Sequence, residues 1–375
     1  MMNILILSWR APKHPNAGGA EVSTYEHAKG WVKDGHQVIW FTSIFEGGKK
    51  EEMMEGVRII RQGRQILGVQ WEAFKWCLFG SHPKFDLVVD QFHGIPFFTP
   101  IYIGSKKLAF IHEVTKEVWR LNPWSWPFNK IAAFIGEIFE PVVFKIYRKT
   151  PFMTVSNSTR EDLIAWGIPG ENISVIYNGV KTPKTKKILT KKEKALIFLG
   201  ALSKDKGIED GLKVFQLIDQ TLKDKWLFWV VGAADPRYLK QLKMQTHRLG
   251  ISSKVKFWGF VNEKKKFELL SKAYLAINPS IREGWSLVVI EAASVGTPTI
   301  GYNVPGLKDS IVDNKTGLLS VPNPEALAEK IINVLKKDKL YRQFQVQCLI
   351  WSNKFTWKKS LISSTKLIRD IIKYE

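Results

Sequence analysis

The sequence predicts an α/β protein made of two doubly wound, Rossmann-like domains facing each other across a cleft. Three observations carry that expectation. Short apolar runs alternate with amphipathic helical patterns along almost the whole chain. A Lys/Thr-rich stretch with little apolar content, residues 181–194 (KTPKTKKILTKKEK), interrupts the alternation near its midpoint. A chain of 375 residues also exceeds what one hydrophobic core accommodates.

Residues 3–8 (NILILS) read as a strand ending in a Gly/Pro/Asn-rich loop. AEVSTYEHAKGWVKDG then reads as a helix with Val22, Tyr25, Ala28 and Val32 on one face and Gly35 as its stop. HQVIWFTS follows as a strand, which completes a β-loop-α-β unit with Gly18 and Gly19 at the helix start. FDLVVDQF, KLAFIH, FMTVS and ISVIYNG continue the first domain, expected over 1–180. After the linker at 181–194, the strands ALIFLG, WLFWVVG, VKFWGFV, LAINPS and TPTIGY alternate with helical segments in a second domain, 195–354. The tail 355–375 places Leu361, Leu367, Ile368 and Ile371 at helical spacing.

The charge balance is strongly basic, 56 Lys and Arg against 35 Asp and Glu, or +21. An anionic partner is expected: nucleic acid, an acidic membrane leaflet or a phosphorylated substrate. Fifteen tryptophans favour a membrane interface over a nucleic-acid groove. The lysines are scattered and accompany no nucleic-acid motif, so no nucleic acid is expected. Cys77 and Cys348 share no metal or redox spacing, which suits a reducing cytoplasm. There is no signal-peptide pattern and no run of the ~18–20 apolar residues a membrane span needs. A cytoplasmic protein, soluble or peripheral on the cytoplasmic membrane face, is expected.

The segment REGWSLVVIEAASVGTP, 282–298, carries the sharpest functional signal. Glu291 sits among small apolar residues of a helical segment, with Glu283 eight positions upstream before a Gly-Trp-Ser turn. A buried carboxylate without a partner is costly, so either it is exposed or something polar meets it. Eight helical residues span ~12 Å, comparable to the separation of the two sugars in a nucleotide-sugar. Carboxylates accept from vicinal hydroxyls, and helix N-terminal amides between them suit a diphosphate. The same spacing also suits a loop acid followed by a helix-start acid favoured by the dipole. Gly18 and Gly19 make either an anion site or a tight turn, and there is no G-x-G-x-x-G or GKS/T loop. His112 ends a strand, where α/β sheets place functional groups as well as structural histidines; His93 is a second candidate. Residues 119–149 mix Trp119, Trp124, Trp126 and Phe128 with Arg120, Lys130, Lys145, Arg148 and Lys149. That mixture suits an anionic bilayer surface, or a helix packed on the first domain with a basic solvated face.

The order NPS-x-x-EG-W-S-L-x-x-x-EA-x-x-x-GTP followed by VPGLKDSIVDNKTGLL resembles the donor-site signature of glycosyltransferase family 4, retaining enzymes of the GT-B fold. GGAE at 18–21, VSNSTREDLIAWGIP with ISVIYNGV at 155–180, and FLGALSKDKGIEDGL at 198–212 extend the resemblance over most of the chain. The resemblance implies a nucleoside-diphosphate-sugar donor and a lipid-linked or glycan acceptor, with the last helix crossing back onto the first domain. Among the residues, it implies that Lys206 neutralises the leaving diphosphate and that Glu283 and His112 attend the transferred sugar. Glu291 would bind the ribose, and amides around Gly284, Trp285, Ser286 and Leu287 would contact sugar and diphosphate. Gly18 and Gly19 would approach the diphosphate. No bound metal or other cofactor is implied. Two departures stand out: Trp285-Ser286 where the family more often has an aromatic then glycine, and Ala201 where it usually has a second cation, an arginine. Lys204 is placed to substitute for that arginine. GT-B architecture also serves epimerases and pyridoxal-phosphate phosphorylases, and Ala201 keeps open a member that binds without turnover.

Overall fold

The computed structural model describes residues 1–92, 95–121, 126–181, 191–222 and 224–373. His93, Trp124 and most of the expected linker, 182–190, lie outside the described residues. The chain divides into two units: Met1–Gly179 joined by the last helix, and Val180–Thr356.

The first unit runs β1 (Asn3–Ser8), α1 (Gly19–Lys33), β2 (Gln37–Thr42), β3 (Glu51–Met54), β4 (Val57–Arg61), α2 (Gly68–Phe79), β5 (Leu87–Phe92), α3 (Thr99–Tyr102), β6 (Lys106–Ile111), α4 (Phe128–Ile146), β7 (Phe152–Thr154), α5 (Asn157–Ala165) and β8 (Ile173–Val175). Its eight strands are ordered β3-β4-β2-β1-β5-β6-β7-β8, parallel except for the β3–β4 hairpin. The central strands β1 and β5 are buried along most of their length on both faces, as near-continuous apolar runs in a helix-covered parallel sheet should be.

The face of α1 turned inward is not the one its apolar residues suggest. Val22 is exposed, whereas Thr24, His27, Ala28 and Trp31, at i, i+3, i+4 and i+7, are buried. The inward polar atoms have partners: Ser23 Oγ donates to Asn178 Oδ1 (2.5 Å), Thr24 Oγ1 to the Ala20 carbonyl (2.9 Å), and His27 Nδ1 lies 2.9 Å from Ser364 Oγ. Ser364 belongs to the final helix, which returns to this unit and packs on α1, with the Leu361 side chain seated where Gly30 has no Cβ.

The second unit runs β9 (Ala195–Leu199), α6 (Ile208–Leu222), β10 (Leu227–Val231), α7 (Pro236–Arg248), β11 (Val255–Gly259), α8 (Glu263–Lys272), β12 (Leu275–Asn278), α9 (Leu287–Ser294), β13 (Thr299–Tyr302), α10 (Leu307–Ser310), β14 (Gly317–Ser320), α11 (Pro324–Leu335) and α12 (Asp338–Ser352); the returning helix is α13 (Trp357–Lys373). Its six strands are all parallel, in the order β11-β10-β9-β12-β13-β14, around a core that includes Phe198, Phe215, Phe228 and Phe344. Residues just before β9 pack on this unit: Glu193 N donates to the Lys272 carbonyl (2.8 Å) and Lys192 Nζ to Thr297 Oγ1 (2.6 Å).

Candidate active site

The chain lays β9, β10 and β11 outward in one direction, then returns to place β12 on the other side of β9. The carboxyl ends of β9 and β12 therefore flank a topological switch point, where open α/β sheets hold their ligands. The loop after β9 is drawn onto the loop after β12 by a backbone hydrogen bond from Ile281 N to the Asp205 carbonyl (2.9 Å). Gly207 stands so near β12 that a Cβ would lie 2.0 Å from the Pro279 carbonyl oxygen. These contacts set Lys206 Nζ 3.1 Å from Glu283 Oε2, while Ser280 Oγ donates to Glu283 Oε1 (2.7 Å). Both partners of the ion pair keep part of their side chains exposed.

A third loop fixes Glu283 from behind. Glu283 N donates to the Pro305 carbonyl (3.1 Å), and a Cβ on Gly306 would lie 2.0 Å from the Glu283 carbonyl oxygen. The Val-Pro-Gly segment noted in the sequence thus serves as a backstop for the glutamate.

Helix α9 starts next to this pair. Its N-cap, Ser286, has the left-handed φ of +52°, and its hydroxyl accepts from Asn278 Nδ2 (3.0 Å) rather than capping the helix. The first-turn amides therefore have no side-chain cap, which leaves the positive end of the helix suited to an anion. Gly284, Trp285 and Ser286 are buried and Leu287 is half-buried. The Trp285 ring packs edge-on against Phe355, 4.9 Å between centroids.

Glu291 lies in the second turn of α9, and what meets it is an ammonium group from α8: Lys266 Nζ sits 2.5 Å from Glu291 Oε1. Burial raises the carboxyl above the usual carboxylate range, and the lysine opposes that shift. The sequence alone did not single out Lys266, which stands on another helix, and showed Ser280 only as the serine of the NPS stretch three residues before Glu283.

In the first unit, Gly18 is the N-cap of α1, and its amide is already taken by Glu21 Oε2 (2.6 Å), which also pairs with Arg10 (3.0 Å). Glu21, inside GGAE, thus makes the half of a capping box that reaches back to the N-cap amide, and Gly18 has no side chain to supply the other half. Gly19 opens the helix. His112 directly follows β6, is nearly buried with its ring 4.3 Å from that of Phe110, and accepts from Thr159 Oγ1 through its carbonyl (3.0 Å). Asp90 on β5 is a buried carboxylate that the sequence reading passed over. Tyr147 Oη (2.5 Å), Thr99 Oγ1 (2.9 Å) and the amides of Phe97 and Thr99 surround it, yet burial lifts its carboxyl to about 6. Among the described residues, no group of three or more His, Cys, Asp or Glu is placed to hold a metal ion.

Comparison with known proteins identifies the family and the fold. Residues 17–184 match Glycosyltransferase Family 4, and residues 181–347 match Glycosyl transferases group 1. An uncharacterised glycosyltransferase of Methanocaldococcus jannaschii is 25% identical, over 94% of this chain and 95% of its own. Sucrose-phosphate synthase from Thermosynechococcus elongatus superposes with a TM-score of 0.81 at 17% identity, all of both chains being covered. HepE of Anabaena, solved with UDP and glucose, has a TM-score of 0.72 at 18% identity over 99% of this chain and 100% of its own. These likenesses identify the fold as GT-B. The chain belongs to glycosyltransferase family 4 and is a glycosyltransferase.

Proposed function

We propose that the chain is a retaining glycosyltransferase that moves a sugar from a nucleoside-diphosphate-sugar to a hydroxyl of a lipid-linked or glycan acceptor. It would work at the cytoplasmic face of a membrane and without a bound metal. The observation that carries the reading is the Lys206–Glu283 pair, 3.1 Å apart at the carboxyl ends of β9 and β12. A departing diphosphate needs positive charge where its own develops, and Lys206 with the uncapped amides at Leu287 and Val288 supplies it. The UDP and glucose carried by the Anabaena relative support a nucleoside diphosphate as the ligand.

In this reading Glu283, oriented by Ser280 and by the Pro305-Gly306 backbone, accepts from hydroxyls of the transferred sugar. Amides from Gly284 to Leu287 line the sugar and diphosphate. Glu291 holds the ribose hydroxyls through Oε2 while Oε1 stays with Lys266. His112 hydrogen-bonds the sugar. Gly19 approaches the diphosphate, and Gly18 joins it once Glu21 releases its amide. The acceptor hydroxyl attacks an oxocarbenium-like carbon from the face the diphosphate leaves, so no protein nucleophile is required and catalysis rests on positioning and charge.

Ala201 favours a second reading, a protein that binds nucleotide-sugar without turnover, because one cation of the usual pair is missing. Thermal stabilisation by a panel of nucleoside diphosphates and their sugars, followed by donor hydrolysis, tests both. A ligand at 100 times its dissociation constant adds ~2.7 kcal/mol. One base class is expected to stabilise the wild type and to lose most of its effect on Lys206→Met. Equal stabilisation of the variant, or none of either protein, refutes the reading. Stabilisation without hydrolysis selects the non-catalytic one.

A further inference from the structure

Ser286 breaks a local rule at the centre of the site. Its φ of +52° and ψ of +75° lie in the left-handed region, where backbone preference alone puts glycine. Strain of this kind gathers at ligand sites, where the surrounding structure holds it in place. What holds it here is Asn278, the last residue of β12 and only 8% exposed. Asn278 Nδ2 donates to Ser286 Oγ (3.0 Å), and Asn278 Oδ1 accepts from Ser280 N (3.2 Å). A backbone amide can only donate, so the oxygen of the Asn278 side chain faces Ser280 and its nitrogen faces Ser286. Ser286 Oγ is therefore the acceptor in this contact, and its own proton finds no acceptor among the described residues.

The same asparagine reaches Glu283. Ser280, whose amide it holds, donates its hydroxyl to Glu283 Oε1 (2.7 Å). One side chain at the carboxyl end of β12 thus fixes the positions of an acceptor, the Glu283 carboxylate, and of a donor, the Ser286 hydroxyl. Ser286 Oγ accepts from Asn278 instead of from the first-turn amides of α9, so it does not compete with an anion for them. A sugar hydroxyl both donates and accepts. It can give its proton to Glu283 and receive the proton of Ser286. A phosphate oxygen only accepts, and it meets like charge at Glu283.

We propose that the Ser286 hydroxyl hydrogen-bonds a hydroxyl of the transferred sugar and so selects hexoses that carry it over their deoxy counterparts. The inference rests on the nucleotide-sugar reading and adds to it a side chain that chooses the sugar. Its test is calorimetric titration of wild type, Ser286→Gly and Ser286→Ala with UDP-glucose and GDP-mannose, and with UDP and GDP as sugar-free controls. Ser286→Gly suits the backbone and should fold, while Ser286→Ala keeps the Cβ and removes only the hydroxyl. Both variants are expected to bind the preferred nucleotide-sugar about threefold to tenfold more weakly, as loss of one neutral hydrogen bond does. Both should bind its sugar-free nucleotide as tightly as the wild type. Among monodeoxy forms of that sugar, one should bind the wild type as weakly as the parent sugar binds the variants, and should lose nothing further on Ser286→Gly. Unchanged affinity of the variants for the nucleotide-sugar, or an equal loss for the sugar-free nucleotide, overturns the inference while leaving the donor site standing. Binding of none of these ligands by the wild type overturns both the inference and the donor reading beneath it.

Discussion

Gly306→Ala tests how Glu283 is held. At Gly306 φ is +77° and ψ −41°, outside the left-handed α region, and such backbone strain costs a residue with a Cβ ~1–3 kcal/mol. The new methyl would also lie 2.0 Å from the Glu283 carbonyl oxygen and 2.5 Å from its carbonyl carbon. Relieving that overlap requires backbone movement, an overpacking cost of ~1–3 kcal/mol. The two add to about 2–6 kcal/mol. Gly250→Ala is the matched control in the same unit: φ is +69° and nothing lies within 4 Å of its Cβ. It should therefore lose only ~1–2 kcal/mol. Calorimetry of both variants reads the difference, at ~2–4 °C per kcal/mol for a unit of this size. Because the overlap pushes on Glu283 itself, Gly306→Ala should also lose stabilisation by nucleotide-sugar, which Gly250→Ala should keep. Equal melting losses for the two variants would refute the claim that the Pro305-Gly306 backbone fixes Glu283.

Three further outcomes follow from buried groups. Burial lowers the Lys192 ammonium to about 7 from 10.5, so below pH 7 the folded state carries a buried charge at a cost, and stability rises as pH climbs from about 7 towards 10.5. Lys192→Met should raise the melting temperature most below pH 7, and that gain should shrink above it. Burial raises Asp90 from 3.8 to about 6, so its contribution is most favourable below pH 4 and falls by about 3 kcal/mol as pH rises through 6. Asp90→Asn should remove that slope from a pH series of denaturant midpoints. Ser364→Ala strips buried His27 of its hydroxyl partner and should cost ~1–3 kcal/mol by calorimetry.

The alternating order of strands and helices was legible because parallel strands buried on both faces are short apolar runs, and NILILS and ALIFLG announce themselves as such. The β3–β4 hairpin escaped that reading: EEMM carries two acids on an edge strand, and its strand character comes only from pairing with β4. The inward face of α1 was misread because Thr24 and His27 are polar in sequence, and become core residues only when Ala20 and Ser364 satisfy them. At the site, Glu283, Lys206 and Glu291 were visible as residues, while their pairing was not. Lys206 meets Glu283 only because β9 and β12 are neighbours in the sheet, 79 residues apart at Ala276 and its partner Ile197 on β9, and no local pattern encodes a crossover. Lys266 was equally hidden, one lysine in KKK, until α8 packed beside α9.

The central claim is retention at the Lys206–Glu283 site, and the most direct measurement is the anomeric configuration of the first product. Proton NMR should follow turnover of the α-linked nucleotide-sugar that stabilises the protein most, with wild type and with Lys206→Met. An α-configured first product, formed by the wild type and strongly slowed in the variant, is the predicted result. A β-configured first product, or turnover indifferent to the loss of Lys206, would contradict the account.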